Sequence, residues 1–223
     1  MHRGTGRVVE LNVEDGCRYG HLTCADKLIP APGQYLLASD GSDSAVLPVP
    51  VFYTDSASNG FIGPVPDTWT PGDTLYLRGP LGRGFSLPAS ARKVGLVAFD
   101  GPFSRLRGLI QPALRQNASV VLVTGWEAGE LPDEVEVQPV SALGDIFEWA
   151  DYIALDLQRE DLPKWRQKLG ERIPRPAWPD VQILIHTAMP CGGIAECGVC
   201  ALRTEDDWKL ICKEGPVFDL REI

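Results

Sequence analysis

The sequence predicts an α+β, multidomain fold: an antiparallel β-barrel, then a parallel α/β domain, then a C-terminal loop and hairpin bearing cysteines. Three observations predict it. The first 88 residues hold short alternating runs parted by Gly, Pro, Asp and Ser; from Lys93 wholly apolar runs alternate with helical stretches; and Cys191, Cys197, Cys200 and Cys212 crowd into 22 residues.

In residues 1–88, Arg7–Val13 alternates and stops at Glu14-Asp15-Gly16. A second run covers Arg18–Cys24, and a third, Gln34–Ala38, follows Pro32-Gly33. Val46–Tyr53 and Thr74–Leu77 complete the set. Short strands at this spacing suit a small barrel. In residues 89–186, Val94–Phe99 is apolar throughout, as a strand buried on both faces requires. A helix over Phe103–Arg115 carries Leu106, Leu109, Ile110 and Leu114 on one stripe. Ser119–Val123 and Val135–Val140 read as strands, Ala142–Ala150 as a helix, Tyr152–Leu155 as a strand, Leu162–Leu169 as a helix and Val181–Ile185 as the last strand. Such alternation predicts a Rossmann-like, nucleotide-binding type of sheet. Residues 187–223 form the third unit.

Composition narrows the function. A hydrophobic fraction of 44% and a charged fraction of 23% suit a globular protein. The net charge of −9 argues against a nucleic-acid partner. No apolar run is long enough to span a bilayer, and the N-terminus enters a strand pattern without an apolar signal core, so a cytoplasmic location is expected. His2, His21 and His186 are scattered and suggest no metal site. No Ser/His/Asp or paired-carboxylate pattern has hydrolytic spacing, and Ser104 lacks the nucleophile-elbow context, so no catalytic residue is assigned. The acidic run Glu127, Glu130, Asp133, Glu134, Glu136 reads as a solvated loop. The tryptophans read as packing residues, with Trp208 and Leu210 placed to shield a metal.

Cys17 and Cys24 stand apart, while the clustered four are spaced x5, x2 and x11. Clustering in a chain without an export signal points to metal rather than disulfides. A [2Fe–2S] cluster needs four thiolates, two per iron, and Gly192, Gly193 and Gly198 let a short loop curl round it. The fourth thiolate would arrive beyond a hairpin, Ala201–Ile211, with Glu205-Asp206-Asp207 at its tip. Plant-type sites have x4 in the first gap, so one extra residue must bulge here. Zinc is the alternative, but only Cys197 and Cys200 form the close pair that structural zinc usually takes twice. Free thiols are the third possibility.

The segment Pro190-Cys191-Gly192-Gly193-Ile194-Ala195-Glu196-Cys197-Gly198-Val199-Cys200, with Cys212-Lys213-Glu214-Gly215-Pro216-Val217-Phe218, resembles the C-terminus of PyrK-type proteins, the electron-transfer subunits of class 1B dihydroorotate dehydrogenase. Pro32-Gly33-Gln34-Tyr35, Pro71-Gly72-Asp73 and Gly79-Pro80-Leu81-Gly82-Arg83-Gly84-Phe85 resemble motifs of the same family, within the ferredoxin-reductase superfamily. The resemblance implies FAD between barrel and α/β domain, with Gly79, Pro80, Leu81 and Gly82 in the FAD region, and NADH as hydride donor. Electrons would pass through the cluster to a flavin in a catalytic partner subunit, placing the chain in pyrimidine biosynthesis as part of a hetero-oligomer.

Four motifs, at two cofactor sites, depart from that pattern. The family's Arg-Pro-x-Ser flavin stretch corresponds to Val49-Pro50-Val51-Phe52, which lacks both polar residues and suggests a flavin cleft filled by side chains. The family's Gly-Thr step before the Pro-Gly-Asp turn is missing too, with Phe61-Ile62-Gly63-Pro64 there. Arg78 or Arg83 could hold a pyrophosphate, or simply be solvated. The dinucleotide turn reads Asp100-Gly101-Pro102-Phe103-Ser104, with one glycine and a proline that removes an N–H. The family's Cys-Gly-Pro is replaced by Asp156-Leu157-Gln158 after the strand. NAD(P)H binding in the family's manner is therefore not expected, and FAD is left open. The expected function is a non-catalytic electron-transfer subunit. A complete NADH-dependent FAD/[2Fe–2S] reductase and a non-redox, zinc-bearing interaction protein are the rivals.

Overall fold

A computed structural model of the chain describes residues 1–223 except 15, 43–46, 100, 171–178 and 205–206, and the backbone alone of 168–170. Val46, Asp100, Trp178 and the expected hairpin tip at Glu205 and Asp206 lie outside the described residues.

Seven strands make the first layer: β1 (His2–Glu14), β2 (Cys17–Cys24), β3 (Tyr35–Ser39), β4 (Val49–Phe52), β5 (Asp55–Ala57), β6 (Gly60–Pro64) and β7 (Thr74–Leu81). They run antiparallel in the order β4-β3-β7-β1-β2-β6-β5. The sheet curls until the Thr54 N–H, just past β4, donates to the Ile62 carbonyl of β6 at 2.8 Å. Its two ends thus meet and close a barrel around Val8, Leu22, Leu36, Val51, Phe61, Trp69, Leu75 and Leu77. Alternation along each strand puts these side chains inside, except Trp69, which enters from the loop after β6, each burial stabilising by about 1.5–3 kcal/mol. β1 starts at His2 rather than Arg7, because its polar first half still pairs with β7, from His2 opposite Gly79 to Arg7 opposite Thr74. The β5–β6 hairpin was not foreseen. A strand of three residues, Asp55–Ala57, is too short to display a period.

The second layer is built on β8 (Lys93–Ala98), β9 (Ser119–Thr124), β10 (Val135–Gln138), β11 (Tyr152–Gln158) and β12 (Asp180–His186). These pair in parallel in the order β10-β9-β8-β11-β12. The strand order reverses between β8 and β11, so the crevice beyond their C-terminal ends is the switch point of a doubly wound sheet. The single helix expected over Phe103–Arg115 is two, α1 (Ser104–Arg107) and α2 (Ile110–Arg115). They part at Gly108, where a Cβ would stand 2.4 Å from the Tyr53 ring. That close approach presses the α/β layer onto the barrel. The apolar stripe survives the break, with Leu106, Leu109 and Ile110 buried. Helices α3 (Leu143–Trp149) and α4 (Leu162–Gly170) follow β10 and β11.

The C-terminal segment leaves β12, forms a loop, and then the hairpin of β13 (Ala201–Arg203) and β14 (Trp208–Leu210). A single turn, α5 (Ile211–Glu214), leads to β15 (Val217–Asp219), which pairs antiparallel with β12. Sequence reading omitted this strand. Burial of Val217, Phe218, Leu220 and Ile223 anchors the segment in the core of the parallel sheet. No described helix is long and apolar enough to cross a membrane.

Candidate metal centre

The loop after β12 is folded by left-handed residues. Gly192 and Gly193 have φ of 60° and 70°, and Ala195, which carries a Cβ, is held at 65°. Three such residues between Cys191 and Cys197 take up the five-residue gap and turn peptide N–H groups inward, as in an anion-binding nest. Those of Ile194, Glu196 and Cys197 hydrogen-bond the Cys191 sulfur, and that of Ala195 reaches Cys212. Partial burial works against ionisation of Cys191, but the Cys197 side chain and the three peptide N–H groups outweigh it and bring the thiol down to about 6.

The hairpin sets the second half. Ala201 stands opposite Leu210, and the Ile211 N–H donates to the Cys200 carbonyl at 3.1 Å. The eleven residues between Cys200 and Cys212 therefore return the chain to its start, and the two thiols hydrogen-bond. Both are buried, at 1% and 3% exposure. Burial, then the bond and charge of Cys200, push Cys212 up to about 12. Cys191 is partly buried and Cys197 exposed. So the four sulfurs fall into two pairs, Cys191 with Cys197 and Cys200 with Cys212. Among the described residues no three His, Cys, Asp or Glu side chains gather as the donors of one ion would.

Three side chains fasten this loop to the body. Arg78 Nη2 donates to the Gly192 carbonyl at 2.6 Å, and the buried Tyr35 hydroxyl to the Cys212 carbonyl at 3.0 Å. Burial, reinforced by the nearby sulfurs of Cys212 and Cys200, raises the Tyr35 pKa and keeps the phenol a donor. From the other layer, Arg159 Nη1 donates to the carbonyls of Val199 and Ala201. Sequence reading placed Tyr35 only in a strand-start motif, passed over Arg159, and gave Arg78 as a solvated or pyrophosphate-binding residue. The one signal available for Arg78 is its place on β7, out of step with the inward Leu75 and Leu77.

Gly79, Pro80, Leu81 and Gly82 lie at the end of β7, closed in by protein. A Cβ on Gly79 would meet Leu36 at 2.4 Å, and one on Gly82 would meet Pro216 at 2.5 Å. Phe52, at the position of the family's flavin serine, is buried against Tyr35 with ring centroids 5.3 Å apart. Arg83 pairs with Glu222 at 3.4 Å. Among the described residues, those between the layers line a cavity of about 190 Å³ containing the unpartnered Thr54 Oγ1, with the Arg107–Glu14 ion pair in its wall. That is below the usual range for a drug-sized ligand, roughly 300–1,000 Å³, and FAD is larger still. These residues do not fit FAD bound in the family's manner.

The crevice at the switch point holds a polar network. Arg105 Nε donates to both carboxylate oxygens of Asp156, at 2.9 and 3.1 Å, and Arg105 Nη2 to His186 Nε2 at 2.9 Å. Asp156 is 3% exposed at the end of β11. Burial first, and the Arg105 guanidinium second, bring His186 down to about 4, so it stays neutral and accepts. His186, read from sequence as an ordinary strand or loop residue, is part of this network. Ser104 is buried and hydrogen-bonds Tyr19. Trp69 and Trp165 are core residues as expected, whereas Trp126 is exposed, and Trp208 stands out from the hairpin at 63% exposure and shields nothing.

The barrel, switch-point sheet and cysteine loop together define a class, a ferredoxin-reductase-fold protein with an iron–sulfur segment. More closely, residues 186–223 match the family model of the iron-sulfur cluster binding domain of dihydroorotate dehydrogenase B. It is similar to the sulfhydrogenase 1 subunit gamma of Pyrococcus furiosus, at 23% identity over 69% of this chain, and spans 64% of that relative's length. An NADH-dependent reduced ferredoxin–NADP oxidoreductase superposes with a TM-score of 0.73 at 15% identity, covering 97% of this chain and 88% of that one. Phthalate dioxygenase reductase, which is modular for electron transfer from pyridine nucleotides to [2Fe–2S], superposes at 0.57 and 14% identity, covering 88% and 70%.

Proposed function

We propose that the chain is the electron-relay subunit of a hetero-oligomeric flavoprotein, holding a [2Fe–2S] cluster on Cys191, Cys197, Cys200 and Cys212. The observation that carries this is the division of four sulfurs into two pairs. A binuclear cluster takes two thiolates at each iron, whereas one tetrahedral zinc needs all four around a point. When bound, the cluster supplies one-electron exchange between a two-electron flavin and an acceptor. Peptide N–H groups of residues 194–197 supply hydrogen bonds to sulfur, which offset thiolate charge. Arg78 and Tyr35 keep the loop seated on the barrel.

The units are 1–88, 89–186 and 187–223, and the partner is a flavin-bearing catalytic subunit of the dihydroorotate dehydrogenase kind, in the cytoplasm. Exposed Ile194 and Val199, on either side of the exposed Cys197 in sequence, give such a partner an apolar surface. Anaerobic purification tests the assignment. Iron and acid-labile sulfide near two each per chain are expected, with visible charge-transfer bands and an electron-spin signal on one-electron reduction. A colourless protein with stoichiometric zinc refutes it, and failure to co-purify with a flavoprotein refutes the partner.

A further inference from the structure

We propose that Arg78 sets the reduction potential of the cluster, as a positioning residue that carries a positive charge from the barrel to the first turn of the cysteine loop. The inference rests on the four-cysteine cluster assigned above. Arg78 is partly buried, and its Nη2 grips the carbonyl of the residue that follows Cys191, 2.6 Å away. The same nitrogen lies 4.0 Å from where a Cβ on Gly193 would stand. Among the described residues no carboxylate comes within ion-pair distance of it. Its charge is therefore not neutralised by a described neighbour. Reduction adds one electron to a centre already negative from four thiolates, so a fixed cation nearby favours the reduced state.

Arg159 supplies an internal control. It holds the same loop from the opposite layer through the carbonyls of Val199 and Ala201, but its Nη2 is paired with Glu160 at 2.9 Å. Grip is common to both arginines; uncompensated charge belongs to Arg78. Were grip alone important, the two would be equivalent.

The test is a spectroscopically monitored redox titration of the anaerobically purified full chain and three variants. Arg78→Gln is expected to weaken the preference for the reduced cluster about tenfold, which is about 59 mV for a one-electron couple. Arg78→Lys, which keeps the charge, should recover most of that, and Arg159→Gln should shift the potential less than Arg78→Gln. An unmoved potential in Arg78→Gln overturns the proposal. So do equal shifts in the Lys and Gln variants, or a larger shift in Arg159→Gln. Variants at 78 that assemble no cluster also overturn it, assigning Arg78 to assembly instead. A wild-type chain without iron and sulfide is a different result, overturning the cluster assignment itself.

Discussion

Two loops of this molecule began from the same physical problem and solved it in opposite ways. Each lies beyond the C-terminal end of a parallel strand, where a ferredoxin-reductase fold offers room for a negatively charged group. After β12 the chain keeps its glycines, puts even Ala195 in a left-handed conformation, and points N–H groups at sulfur. After β8 and β11 it has instead brought Arg105, Asp156 and His186 together, and their charges and hydrogen bonds satisfy one another. The first loop turns its donors toward sulfur; the second pairs its charged groups with one another. Buried polar groups at such a crevice have to be paired with one another, because burying them unpaired is costly.

The largest effect should come from the first loop. Cys212→Ser removes a buried thiolate donor, and iron and sulfide content are expected to fall to near zero with loss of visible absorbance. Far-UV dichroism should change little, since β15 still anchors the segment to β12. Retention of a full cluster would break the contrast at its root. Next is Asp156→Ala, which leaves Arg105 mostly buried without its carboxylate. Breaking such a pair costs about 3–5 kcal/mol, readable by urea denaturation, while the iron content per folded chain should stay at the wild-type level. A loss of iron equal to the loss of stability would mean the two loops are one unit.

How much of this was legible beforehand follows the same division. The cysteine spacing and the glycines between them are local signals, and local signals survive in a sequence. The barrel and the parallel sheet were visible as period-two runs and continuous apolar runs such as Val94–Phe99. What escaped were pairings across long separations. Arg105 and His186 lie 81 residues apart, and Tyr35 and the Cys212 carbonyl 177. No spacing rule connects them. Short elements escaped as well, β5 and β15 among them, because three residues cannot show a period. Gly108 looked like an interior helix residue; only the Tyr53 ring beside it explains the break.

A smaller effect should appear as pH dependence. His186 faces Arg105, Asp156 and Glu160, and its folded pKa is about 4 against an ordinary 6.5. Between those values the unfolded chain binds more protons than the folded one, so stability is complete above about pH 6.5 and declines as pH falls toward 4. The decline attributable to this group is up to about 3 kcal/mol. Measuring unfolding free energy in wild type and His186→Gln across that window checks it. The slope should flatten in the variant, and an identical slope would show that another group carries the acid sensitivity.

The smallest expected change isolates the contact between barrel and cysteine loop. Tyr35→Phe keeps the ring against Phe52 and removes only the hydroxyl that donates to Cys212. One buried hydrogen bond contributes about 1 kcal/mol, with the carbonyl left partly unsatisfied. Because that carbonyl belongs to a residue assigned to bind iron, the cost should fall on the cluster more than on the barrel. The variant should bleach faster in air than wild type while its unfolding midpoint moves only slightly. If the midpoint falls and the bleaching rate holds, Tyr35 serves the barrel core alone, and the loop is stabilised by its own turns and by Arg78.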